Sequence, residues 1–142
     1  MGDGEGKDRP FQIEIVDDLS GSSRTRYALA KLSQAVWKLA TGTEGIKARL
    51  ADAYIEIAIL QGSDFPPALV QAWKRIKSDL TSGKMQFETT IVEGELVEKP
   101  VGLLFSTLRH MRKAKAADIA RRICKLETEL ESYLAAHDSQ AA

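Results

Sequence analysis

The sequence predicts an all-α domain, a bundle of four to five helices with an apolar helix at its centre and a minor two-stranded ribbon. Three observations predict it. The stretch Thr43–Leu60 is apolar on nearly every side of a helical wheel, as a helix with neighbours all round should be. Four further segments carry apolar residues at steps of three and four, the stripe of a helix packed on one face. Outside the central helix only two short segments, 11–15 and 86–92, alternate with a period of two, so at most a small ribbon can form.

Taken in chain order, Met1–Arg9 is polar and glycine-rich with nothing to bury, and is expected to be a disordered tail ahead of a single helical domain over 10–136. Phe11, Ile13 and Ile15 alternate with Gln12 and Glu14, which suits a half-buried strand. The run Ser20-Gly21-Ser22-Ser23 supplies a stop and N-cap hydroxyls. A first helix follows over about Arg24–Ala40, on the stripe Leu29, Leu32, Val36 and Leu39, with Gly42 expected as a left-handed C-cap.

Thr43 is then expected to cap the central helix, about 44–61, with Glu44 in its first turn, where a carboxylate suits the helix dipole. Ile46, Leu50, Ala53, Ile57 and Leu60 mark one face, Ala48, Ala51, Ile55 and Ile59 the other, leaving Arg49, Asp52 and Glu56 in a narrow polar strip. The alternation Ile55, Ile57, Ile59 also fits a strand, but the helical phase set upstream favours helix. The short Gly42–Gly45 link makes the first two helices an antiparallel hairpin.

Ser63-Asp64-Phe65-Pro66-Pro67 is a helix start, because a capping side chain precedes prolines whose missing N–H costs nothing in the first turn. Leu69, Trp73, Ile76 and Leu80 form the third stripe, closed by Ser82-Gly83. From Lys84 to Pro100 the helical period disappears. This stretch reads as an irregular connector holding one strand, 86–92, for which 11–15 is the available pairing partner. Leu104, Leu108 and Met111 make a short stripe, and Ile119, Ile123, Leu126, Leu130 and Tyr133 a longer one. One straight helix would put Arg112 and Lys115 on the apolar face, so a break is expected near them. The tail 137–142 is expected to fray.

At 142 residues the chain can bury a core without staples, and its formal net charge of zero predicts no partner by whole-molecule electrostatics. Cys124, the single cysteine, has no internal disulfide partner, and no signal-like or membrane-length apolar run is present; a cytoplasmic protein with no membrane association is the expectation.

Catalysis and metal binding need clusters that this sequence lacks, so no catalytic residue, cofactor or metal is expected. Its two histidines, His110 and His137, lie in separate segments, and no HxxxH, ExxH or CxxC spacing occurs. His110 reads as a surface histidine between Arg109 and Arg112. Cys124 could be an activated nucleophile, since Arg121, Arg122 and Lys125 would stabilise a thiolate; with no histidine at helical spacing, a small packing residue is the preferred reading. The Gly42–Lys47 loop lacks the phosphate-binding pattern GxxxxGK[ST], and Glu44 would repel phosphate.

Two features rise above this background. Arg109, Arg112, Lys113, Lys115, Arg121, Arg122 and Lys125 form a basic run opposed within it only by Asp118, while the N-terminus and the connector are acidic. The run is a patch for an anionic partner such as nucleic acid, or a solvated face neutralised by the protein's own acids. Trp37 and Tyr27 fall off the stripe of the first helix, where they would either anchor a protein interface or pack under the connector or against the N-terminal strand. The leading expectation is a small non-enzymatic interaction protein, a subunit, adaptor or regulator with a protein partner or self-association. The alternative is a helical nucleic-acid-binding protein using 109–125, and an enzyme comes third.

Overall fold

A computed structural model describes residues 21–83 and 86–141. Among them are five α-helices and one two-stranded antiparallel sheet: α1 Gly21–Thr41, α2 Ile46–Ile57, α3 Pro67–Leu80, β1 Gln86–Val92, β2 Glu95–Val101, α4 Leu103–Arg109 and α5 Lys113–Ala141. The protein is an all-α bundle with a minor β-ribbon. The segments 1–9 and 11–15, expected as tail and strand, lie outside the described residues.

Helix α1 buries Thr25, Ala28, Leu32, Ala35 and Leu39, one side of a 3.6-residue repeat, against α2 and α5. Its connection to α2 corrects two expectations. Gly42 is not left-handed. It is small because the Arg49 side chain crosses it: a Cβ at Gly42 would lie 2.5 Å from Arg49 Cγ. Thr43 does not cap α2 either; Gly45, in an extended conformation, is the N-cap and makes no side-chain cap bond. The open carbonyls at the end of α1 are served instead from below, by Arg49 Nη1 donating to Leu39 O at 2.9 Å.

Helix α2 is shorter than 44–61 and packs against α1, α5 and α4. Leu50, Ala53 and Ile57 are fully buried, and Ala51 and Tyr54 nearly so. The expected all-round burial is not reached, because Ile55 is 55% exposed and Ile59, just past the helix end, 66%. The reason is the length of the neighbour. Seven-residue α4 spans about 10 Å against about 18 Å for α2, so it covers only part of the outer side.

Asp64 receives the Gln61 backbone N–H at 2.8 Å in a short 3₁₀ turn, Gly62–Asp64, and Pro67 then opens α3. Trp73, Ile76 and Leu80 carry α3 into the core, where Trp73 stacks between Tyr54 and Phe65. The break between α4 and α5 falls at 110–112, slightly before the expected Arg112–Lys115, so that Lys115 lies within α5. Helix α5 then buries Ile119, Ile123, Leu126, Leu130 and Leu134 along the bundle. It runs to Ala141 rather than ending at 136; Tyr133 stacks on His137 and Arg26 pairs with Asp138 there.

The connector is more regular than its sequence suggested. Strand 86–92 pairs with 95–101, in the register Ile91↔Leu96 and Gln86↔Val101, and so forms a local hairpin rather than a ribbon with 11–15. Glu93 (φ 53°) and Gly94 (φ 83°) are both left-handed, the two-residue turn whose twist matches the flanking strands. Among the described residues the two strands pack mainly on each other, and neither runs along a helix.

Candidate interaction surfaces

The basic run 109–125 is divided between elements. Lys113 through Lys125 lie on α5, whereas Arg109 ends α4 and Arg112 sits in the break between the helices. Among the described residues Arg122, Lys115 and Arg121 meet carboxylates. Arg122 Nη2 donates to Asp79 Oδ2 at 2.5 Å, Lys115 Nζ lies 3.5 Å from the same oxygen, and Arg121 Nη2 is 3.7 Å from Asp118. Arg122 Nε lies 3.3 Å from Asp118 Oδ2 but is not aligned for a hydrogen bond, so this buried nitrogen has charge compensation without a bond. Burial pushes the Asp79 carboxyl up; the Arg122 hydrogen bond and the Lys115 charge outweigh it and hold the group below its ordinary range. Asp79, on α3 and 43 residues from Arg122, is the partner that the sequence run did not reveal.

Trp37 lies on the side of α1 opposite the buried row and Tyr27 on its flank, while the segment 11–15, against which they were also expected to pack, lies outside the described residues. Trp37 is 68% exposed. Tyr27 is half exposed, with Lys31 Nζ 5.8 Å from its ring centroid, a cation–π contact that steadies the ring. Across the α1–α2 seam Lys38 Nζ pairs with Glu56 at 2.7 Å, and that hydrogen bond lowers the Glu56 pKa.

A third surface was not marked beforehand. Between α2 and α4 lies an open cleft of about 370 Å³, floored by Ala48, Ala51 and Leu108, walled by Phe105 and rimmed by Lys47 and Arg109. Phe105 is half exposed, as is Ile55 one turn along α2 from Ala51. The signal was present in sequence, since Ala48, Ala51 and Ile55 formed the second apolar face of the central helix. On a helical wheel alone that face reads as core.

The residues weighed for chemistry do not converge. His110 lines a separate cleft with Asp79, Lys115 and Ser106, its Nδ1 3.2 Å from the Ser106 carbonyl. Asp79 is already engaged by two cations, and Cys124 does not line that cleft. Burial, and then Glu127, push the Cys124 thiol up, opposite to the activation that its basic neighbours suggested. Among the described residues no group of three His, Cys, Asp or Glu side chains could hold a metal ion, and no helix is long and apolar enough to cross a membrane. Comparisons with protein-family models, with curated proteins and with solved structures find no match.

Proposed function

We propose that the chain is a small non-enzymatic interaction protein, a subunit, adaptor or regulator of a larger complex, that acts through its outer surface. The observation that carries this reading is Trp37. A large aromatic on a rigid 21-residue helix, two-thirds exposed and facing away from the core, is costly in water and is the side chain most often found anchoring a protein interface. Tyr27 on the same helix supplies a second amphipathic anchor. The reading sets the chain in the cytoplasm, where a lone thiol such as Cys124 stays reduced.

Nucleic-acid binding by 109–125 ranks second. Arg121 and Lys125 are exposed and could meet phosphates, but the carboxylates of Asp79 and Asp118 reduce the field that a phosphate would experience.

Affinity capture from the native cell, with and without nuclease, separates the two. A protein partner that survives nuclease and is weakened by about thirtyfold in Trp37→Ala, the scale of an aromatic hot spot, supports the first reading. Capture that disappears with nuclease supports the second. Capture indifferent to Trp37→Ala and Tyr27→Ala removes α1 as the interface.

A further inference from the structure

The β1–β2 hairpin is built as an arm. Two-stranded ribbons are marginal in water unless something packs on them, yet among the described residues neither strand of this one lies along a helix. Its tip presents Ile91 and Leu96 as a directly opposed pair, 71% and 75% exposed, with Glu93 and Glu95 beside them. An apolar knob edged by carboxylates is therefore held away from the bundle. The cleft between α2 and α4 is its complement in both respects: an apolar floor at Ala48, Ala51 and Leu108, an exposed Phe105, and the basic rim of Lys47 and Arg109.

The arm does not fill the cleft of its own chain, as the exposure of Ile91, Leu96 and Phe105 shows. Nor can a straight ladder bring it there. Leu96 is six residues before Gly102, about 20 Å at the rise of a strand, whereas Phe105 stands in the first turn of the helix that begins at the arm's base.

We propose that the cleft receives the hairpin tip of a second copy of this chain. In a two-fold pair each copy is both donor and acceptor, so both tips engage together: Ile91 and Leu96 cover Ala48 and Phe105, and Glu93 and Glu95 approach Lys47 and Arg109. The inference deepens the reading of the chain as an interaction protein by naming one partner, but it uses a different face from Trp37. A chain that stays monomeric overturns the arm exchange and leaves the α1 surface to be tested by capture, so the two fail separately.

Sedimentation velocity on the full chain across the micromolar range tests it. The unaltered protein should be a dimer that dissociates on dilution. Ile91→Lys with Leu96→Lys (tip variant), and separately Ala48→Glu (cleft variant), should each weaken dimerisation at least about tenfold, the scale of losing an interface anchor. All three positions are solvent-exposed, so unchanged helical circular dichroism should accompany the loss. The decisive arm is a mixture. The tip variant keeps an intact cleft and the cleft variant an intact tip, so the two together should form mixed dimers with one engagement where neither does so by itself. A monomer at every concentration overturns the proposal. So does a dimer sensitive to the tip but not to Ala48→Glu, which would mean that tips meet tips, and so does a dimer insensitive to both.

Discussion

Arg49 lies across Gly42 so closely that any side chain at position 42 would displace it. Its Nε donates to Glu44 O and its Nη1 to Leu39 O, both at 2.9 Å, so one side chain on α2 holds both the end of α1 and the link between the helices. Gly42→Ala should cost about 1–2 kcal/mol, because the displaced guanidinium loses charge-assisted hydrogen bonds to backbone carbonyls. Arg49→Ala should cost a similar amount. In chemical denaturation the double variant should be no worse than Arg49→Ala by itself, since the clash and the lost bonds are one effect. Full additivity would show that Gly42 matters for its backbone rather than for the room it leaves.

The second prediction concerns the phase of α2. Ile57 is fully buried and Ile55 more than half exposed, two residues apart on one helix. Ile57→Ala should cost about 2–5 kcal/mol, the range for truncating a packed core side chain. Ile55→Ala should stay within about 0.5 kcal/mol, as surface changes do. Equal costs would mean that α2 is rotated from the orientation described here.

How much of this was legible in sequence differs by element. The stripes of α1, α3 and α5 could be read because burial against a neighbouring helix repeats every three to four residues and leaves its mark locally. The outer face of α2 could not. Ala48, Ala51 and Ile55 look the same on a wheel whether a long helix or a short one lies across them, and the length of α4 decides. The hairpin was hidden by its turn, where Glu93 takes a left-handed position usually held by Asn, Asp or Gly, and by Pro100, which argues against a strand except in a ribbon whose strands are both edges. The carboxylate that meets the basic run of α5 could not be placed from sequence, because Asp79 is 43 residues from Arg122 and belongs to neither acidic segment. The continuation of α5 past His137 was equally remote in sequence, since Asp138 pairs with Arg26 from the opposite end of the described chain.

The third prediction follows from Asp79. Its carboxyl is held below the ordinary value of 3.8, with burial opposing the shift and the Arg122 hydrogen bond and Lys115 charge overcoming it. A depressed pKa in the folded state contributes stability that is fully present above the unfolded value and is lost as pH falls through the folded one. Asp79→Asn should therefore destabilise the protein by about 1 kcal/mol at neutral pH, the upper end for partly exposed pairs. The gap between variant and parent should close below about pH 4, as the parent's own carboxyl protonates. A gap that persisted unchanged at pH 3 would assign the effect to packing or neutral hydrogen bonding at position 79.

The last prediction concerns the basic run. Lys115, Arg121 and Arg122 each lie within ion-pair distance of Asp79 or Asp118, so a phosphate approaching α5 must compete with carboxylates already in place. Generic duplex DNA or RNA should accordingly bind weakly even at low salt. Asp118→Asn, which removes one carboxylate and leaves the arginines, should raise whatever binding exists. Should the run be a true phosphate-binding surface, the behaviour is different and quantitative. Affinity for duplex DNA would fall with salt at a log–log slope of about −0.9 for each phosphate neutralised. Arg121→Ala with Arg122→Ala would flatten that slope by up to about two units and weaken all sequences alike. Fluorescence anisotropy over a salt series decides between the two: tight binding by the unaltered chain with a slope steeper than about −3 would displace the protein-interaction reading in favour of nucleic acid.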